Sequence, residues 1–117
     1  MAKILIEQVA AFGRAISDSN RVLILKILGC SPKNTVRVSD IADILGISQP
    51  AATRHLQILH EQGLIERRRA GNVVYYSIDT KKVKEFEQMM GFCFERYDHP
   101  CEYEFHCEEC PHGETCS

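Results

Sequence analysis

The spacing of apolar residues changes character along the chain, and each change marks an element. Leu5, Val9, Phe12 and Ile16 recur at i, i+4, i+7 and i+11, which is one face of a helix. Ser17-Asp18-Ser19-Asn20 interrupts that face with residues suited to cap a new helix. Val22, Leu23, Leu25, Ile27 and Leu28 predict a second, mostly buried helix ended by Gly29 and Pro32. Lys33-Asn34-Thr35 is a polar connection, and Val36-Arg37-Val38 is too short to assign. A third helix is expected from a Ser39 cap to Gly46. A fourth follows a Ser48 cap, with Pro50 in its first turn, where a missing amide hydrogen costs nothing. Ala52, Leu56 and Leu59 are its inward positions, and Gly63 is its natural end.

After Gly63 the helical spacing gives way to strand-forming runs. Leu64–Arg69 and Val73–Ile78 predict two strands around an Ala70-Gly71-Asn72 turn. Asp79 or Thr80 then caps a last helix before Pro100. Its Val83, Phe86, Met89, Met90, Phe92, Cys93, Phe94 and Tyr97 are too many apolar groups for a lone surface helix. With the first helix it offers a dimer interface; the alternative is that these side chains only cover the monomer core. The fold class is mostly α with a small β-hairpin (α+β), with five helices and the hairpin between the fourth and fifth.

Two segments of that order carry function. Val38 to Leu56 fits a helix-turn-helix, and Arg67 to Tyr76 fits the basic hairpin, or wing, that follows it in winged-helix proteins. Such a unit sets its second helix in a major groove and lays the wing on the backbone, so double-stranded operator DNA is the expected partner. The exposed start of the fourth helix comprises Gln49, Pro50, Ala51, Thr53, Arg54 and His55. Gln pairs with adenine edges, Arg with guanine edges, and Ala or Thr methyls meet thymine. His55 is either a base contact or a packing residue. Arg67, Arg68 and Arg69 alternate along a strand and cannot all face DNA. Arg67, Arg69 and Asn72 are assigned to it, giving affinity and salt dependence more than sequence choice.

Charge supports the same division of labour. The net charge of −2 hides a split between residues 1–97, which hold all 14 Lys and Arg and 10 of the 16 acids, and residues 98–117, which hold the other 6 acids. A domain at 1–97 with net +4 is therefore followed by a tail at 98–117 with net −6. At 117 residues with 44% hydrophobic content, one domain with a small core is expected. Glu7 and Gln8 directly follow the apolar Ile4-Leu5-Ile6, so no signal peptide or membrane span is read, and a cytoplasmic location is expected. No phosphate-binding glycine loop is present, and the chain is short for a large pocket, so an enzyme is not expected.

Five of the six cysteines lie from Cys93 onward. Cys107-Glu108-Glu109-Cys110 is a Cys-x2-Cys knuckle, a spacing that lets two thiolates hold one ion. Cys101 and Cys116 flank it six residues away on either side and complete a candidate four-thiolate site, with Cys93, His99, His106 or His112 as substitutes. Thiolates favour zinc, cadmium, arsenite or an iron–sulfur cluster. The alternative is thiol redox or reactive-sulfur sensing by Cys30, Cys93 or tail cysteines. Cys30 at the end of the second helix also reads as a small buried hydrophobe.

The ordered set Ser19-Asn20-Arg21, Ser48-Gln49 with His55-Leu56, Gly63-Leu64-Ile65 and the Gly71–Tyr76 wing resembles the ArsR/SmtB family over roughly residues 5–97. The resemblance implies a homodimeric winged helix-turn-helix repressor released from its operator by an inducer. Two inducer sites known in that family fall here on altered residues. A Cys-x-Cys pair at the third helix corresponds to Arg37 and Ser39. The Asp and His ligands of the last helix correspond to Asp79 and Lys81, and the downstream His is missing. The resemblance therefore directs attention to the tail cysteines.

Overall fold

A computed structural model describes residues 2–94 and His106. Its elements are α1 (Ala2–Ala15), α2 (Ser19–Gly29), α3 (Val38–Leu45), α4 (Gln49–Glu61), β1 (Ile65–Ala70), β2 (Val73–Ile78) and α5 (Thr80–Phe94). Among the described residues, five helices and one antiparallel hairpin, in the expected order, make this a mostly α winged helix-turn-helix.

The caps show why the helices begin and end where they do. Asp18 accepts from the Asn20 amide at 2.8 Å, and Ser48 Oγ accepts from the Ala51 amide at 3.2 Å. Asp79 rather than Thr80 caps α5, accepting from the Lys82 amide at 3.0 Å. Ser39 is not the cap of α3. The helix starts one residue before it, and Asp40 reaches back to accept from the Arg37 amide at 2.9 Å. That amide hydrogen bond, and then the Arg37 guanidinium 3.5 Å away, outweigh desolvation and hold the Asp40 carboxyl below its ordinary pKa. Gly46 and Gly63 carry the chain out of α3 and α4 at φ +66 and +74. In each exit the amide that follows the glycine returns to a carbonyl in the helix's last turn: Ile47 to Ala42 at 3.1 Å, and Leu64 to Leu59 at 3.1 Å.

The core runs through the middle of the domain. Ile24 and Leu28 of α2, Ile41 of α3 and Ala52, Leu56 and Leu59 of α4 are fully or almost fully buried with Leu64. Each of the larger side chains contributes roughly 1.5–3 kcal/mol of burial. Phe12 of α1 stacks on Phe86 of α5, ring centroids 4.7 Å apart, which joins the first helix to the last.

Several expectations need correction. The second helix is not mostly buried: Val22 and Leu23 are 49% and 41% exposed, because the core takes Ile24 and Leu28 fully, with Leu25 and Ile27 only partly buried against it. Cys30 is exposed, not a buried hydrophobe. The first strand begins at Ile65, one residue late. Ala70 pairs with Val73, leaving Gly71-Asn72 as a two-residue turn with Gly71 at φ +64. Val36, unassigned from sequence, is buried and bridges Tyr76, whose amide donates to its carbonyl at 2.8 Å. Beside it the buried Ser77 hydroxyl accepts from the Asn34 amide at 2.9 Å, tying the α2–α3 connection to β2. The expected helical stretch through Tyr97 to Pro100 lies outside the described residues beyond Phe94.

Candidate nucleic-acid interface

α4 has two unlike sides. Ala52, Leu56 and Leu59 are sealed against the core, whereas Gln49, Pro50, Thr53, Arg54, Gln57, His60 and Glu61 are exposed. Pro50, Arg54, Gln57 and Glu61 fall at i, i+4, i+7 and i+11 and share the outermost face. Gln49, Thr53 and His60 lie on the flank of that face. Of the residues assigned from sequence, Gln49, Pro50, Thr53 and Arg54 thus share the solvent side, and Ala51 is half-buried at its edge. Gln57 was missed. Its signal was legible, being three residues after Arg54 and four after Thr53. Its amide donates to Glu61 at 3.4 Å, one turn on.

His55 stands apart. It is half-buried, and its Nδ1 lies 3.4 Å from Arg21 Nη1 of α2, so this side of the ring is turned into the protein. A guanidinium has no acceptor, so Nδ1 accepts and a neutral ring carries its proton on Nε2.

The wing follows directly. Arg67, Arg68 and Arg69 are opposite Tyr76, Tyr75 and Val74, so Arg67 and Arg69 share one face and Arg68 takes the other. All three are exposed. Among the described residues no carboxylate lies within ion-pair distance of Arg54, Arg67, Arg68 or Arg69. The nearby Glu66 pairs instead with Lys33 at 3.4 Å. Arg69 Nε donates to the Gly71 carbonyl at 3.2 Å, holding this cation at the hairpin tip beside the exposed Asn72. Thr53, Gln57, His60 and Glu61 form a groove of about 340 Å³ with Arg67 and Tyr76, so helix and wing adjoin along one surface. The arrangement offers guanidinium groups for phosphate and a polar helix face for base edges.

The candidate thiolate ligands Cys101, Cys107, Cys110 and Cys116 lie outside the described residues, as do His99 and His112. Among the described residues no group of three or more His, Cys, Asp or Glu side chains converges on a metal-sized site. Cys30 and Cys93 are free thiols, exposed and half-buried respectively. Among the described residues no helix is long and apolar enough to cross a membrane.

Fold and surface together define a winged helix-turn-helix DNA-binding protein. Residues 18–67 match the family of bacterial regulatory proteins called the arsR family. The chain is 38% identical over 77 residues to a cadmium resistance transcriptional regulatory protein CadC homolog of Staphylococcus aureus, covering 66% of this chain and 62% of that one. It is 32% identical over 84 residues to an HTH-type transcriptional regulator of Methanocaldococcus jannaschii, covering 72% of this chain and 92% of the relative. Among solved structures it superposes on a homodimeric winged helix-turn-helix DNA-binding domain from Mycobacterium bovis, a possible ArsR-family regulator. There the TM-score is 0.62 at 30% identity, over 84% of this chain and 89% of that one. The chain belongs to the ArsR family and is a transcriptional regulator, not an enzyme. It spans just under two thirds of the staphylococcal relative's length.

Proposed function

We propose that this chain is a homodimeric repressor that binds operator DNA through α4 and the wing and responds to a soft metal or metalloid held by its C-terminal cysteines. The observation that carries the DNA reading is the groove in which Thr53 and Gln57 of α4 adjoin Arg67 of the wing, with Gln49, Arg54 and Arg69 exposed and no carboxylate within ion-pair distance of these guanidinium groups among the described residues. In this reading Gln49, Thr53 and Arg54, with Pro50 and Ala51 at their edge, face base edges. Arg67, Arg69 and Asn72 hold the backbone.

Dimerisation is supported by unburied apolar side chains on two packed helices. Ile4 and Ile6 of α1 and Phe92 and Phe94 of α5 are each more than half exposed, and Met90 is 38% exposed. A second copy covering these groups stabilises both protomers, and the homodimeric relative sets the precedent.

The sensing reading rests on donor chemistry. Cys101, Cys107, Cys110 and Cys116 form a soft set with knuckle spacing, and the staphylococcal relative is named for cadmium resistance. Zinc, cadmium or arsenite is the expected ligand, and an iron–sulfur cluster is the coloured alternative. The tail's acids repel phosphate, so a bound cation changes what the tail presents to the DNA-facing domain. The exposed Cys30 thiol favours a second reading, in which Cys30, Cys93 or tail cysteines sense oxidants or reactive sulfur.

Elemental analysis with a visible spectrum on anaerobically purified protein, beside a chain ending at Asp98, tests the sensor. Metal near one equivalent per chain that is lost on truncation supports the tail site. Absence of metal, with thiols that oxidise in pairs, transfers the sensing to redox chemistry. Operator affinity that is equal in metal-free, metal-loaded and oxidised protein removes both.

A further inference from the structure

The guanidinium of Arg21, in the Asn20-Arg21 pair that opens α2, gathers acceptors from α1, from the turn after it and from α4. Its Nε donates to the Ala15 carbonyl. Its Nη2 donates to the Arg14 carbonyl at 3.2 Å and to Ser17 Oγ at 3.4 Å. Its Nη1 meets His55 Nδ1 of α4 at 3.4 Å. Arg14 and Ala15 belong to the last turn of α1, where carbonyls have no partner within the helix and the helix dipole favours a cation. One planar cation thus closes the end of α1 and holds a residue of the DNA-reading helix.

We propose that Arg21 is a positioning residue for DNA reading, fixing the rotation of α4 about its axis by coupling His55 to the C-terminal end of α1. This rests on the operator-binding reading above. His55 immediately follows Thr53 and Arg54 in the sequence. A side-chain tip about 6 Å from a helix axis moves roughly 1 Å when the helix turns by about 10°. That displacement breaks a base-edge hydrogen bond. Because α1 stacks on α5 through Phe12 and Phe86, the same fork links the apolar face assigned to the dimer with the helix that reads DNA. His55 therefore acts inward, through Nδ1, and does not select a base.

The test uses a duplex selected from a random pool by the full-length wild-type protein. Operator affinity, dimer dissociation and thermal midpoint are measured for R21Q, R21K, H55L, H55N and the R21Q/H55L pair. R21Q and H55L each weaken binding about tenfold, and the pair together loses no more than the worse single variant. H55N, whose amide oxygen can replace Nδ1, stays within about threefold of wild type and selects the same bases. R21K keeps the charge without the fork and loses affinity in the same direction, which covers the case in which R21Q does not fold. Additive losses that follow the thermal midpoint overturn the proposal, as does an H55N protein that changes the base chosen at one position. Failure of the wild type to select any duplex removes the operator reading itself, and this proposal with it.

Discussion

α4 and α5 are helices of similar length with opposite surfaces. In α4 the apolar residues Ala52, Leu56 and Leu59 are wholly inside and the outer face is polar. In α5 only Phe86 is buried, while Met90, Phe92 and Phe94 face outward. The comparison teaches where each helix finishes its work. The polar surface of α4 is complete as it stands and is free to meet a polar ligand. The apolar surface of α5 is uncovered among the described residues, and it is the surface that the proposed dimer would bury.

The largest expected effect breaks the first half of this contrast. Leu56→Ala removes a fully buried side chain at the junction of α4 with the core and should cost about 3 kcal/mol in denaturant unfolding. A loss below about 1 kcal/mol would mean that α4 is not seated as described. Next, Phe92→Ser with Phe94→Ser should weaken dimerisation by at least tenfold in sedimentation, about 1.4 kcal/mol. Far-ultraviolet dichroism should show an otherwise intact fold. Unchanged dimers would reassign these side chains to another cover.

Neutralising the wing sharpens the other half. Arg67→Gln with Arg69→Gln should lower operator affinity for every sequence alike and reduce the salt slope by about 2, roughly one for each phosphate no longer neutralised. A shift in sequence preference with an unchanged slope would place these arginines on bases instead. Ser48→Ala removes the α4 cap and should cost about 1 kcal/mol of stability.

The smallest effect is the pH dependence of the α3 start. The Asp40 pKa is lowered in the folded protein, so its carboxylate stabilises the fold above the unfolded aspartate value, near 4. That stabilisation fades as pH falls through the lower folded value. Asp40→Asn should therefore narrow the stability gap to wild type on acidification through that range. Equal acid profiles would show that the cap contributes nothing.

The helix-turn-helix half was legible because its signals are local. The Ser48 cap, Pro50, the Gly46 and Gly63 exits and the spacing of Ala52, Leu56 and Leu59 each act within a turn or two, so residue order alone states them. Errors arose where a partner lay far off in sequence or where two local signals competed. Ser39 looked like a cap, but Asp40 returning to the Arg37 amide outcompetes it. Val36 carries no local signal because its strand partner, Tyr76, is forty residues away. The exposure of Val22 and Leu23 follows from which side of α2 meets the core, which hydrophobicity does not report.

By itself, then, the sequence determined the order of elements, the ends of α2 and α4, the inward face of α4, the split of charge between residues 1–97 and 98–117, and the cysteine spacing. These follow from local backbone preferences, periodicity and charge, all properties of neighbours along the chain. The tertiary structure alone decided that Arg67 shares a groove with Thr53 and Gln57, that His55 turns toward Arg21, and that α1 and α5 present their uncovered apolar groups on stacked helices. Those facts depend on contacts between distant segments, and packing chooses them only after the local elements exist.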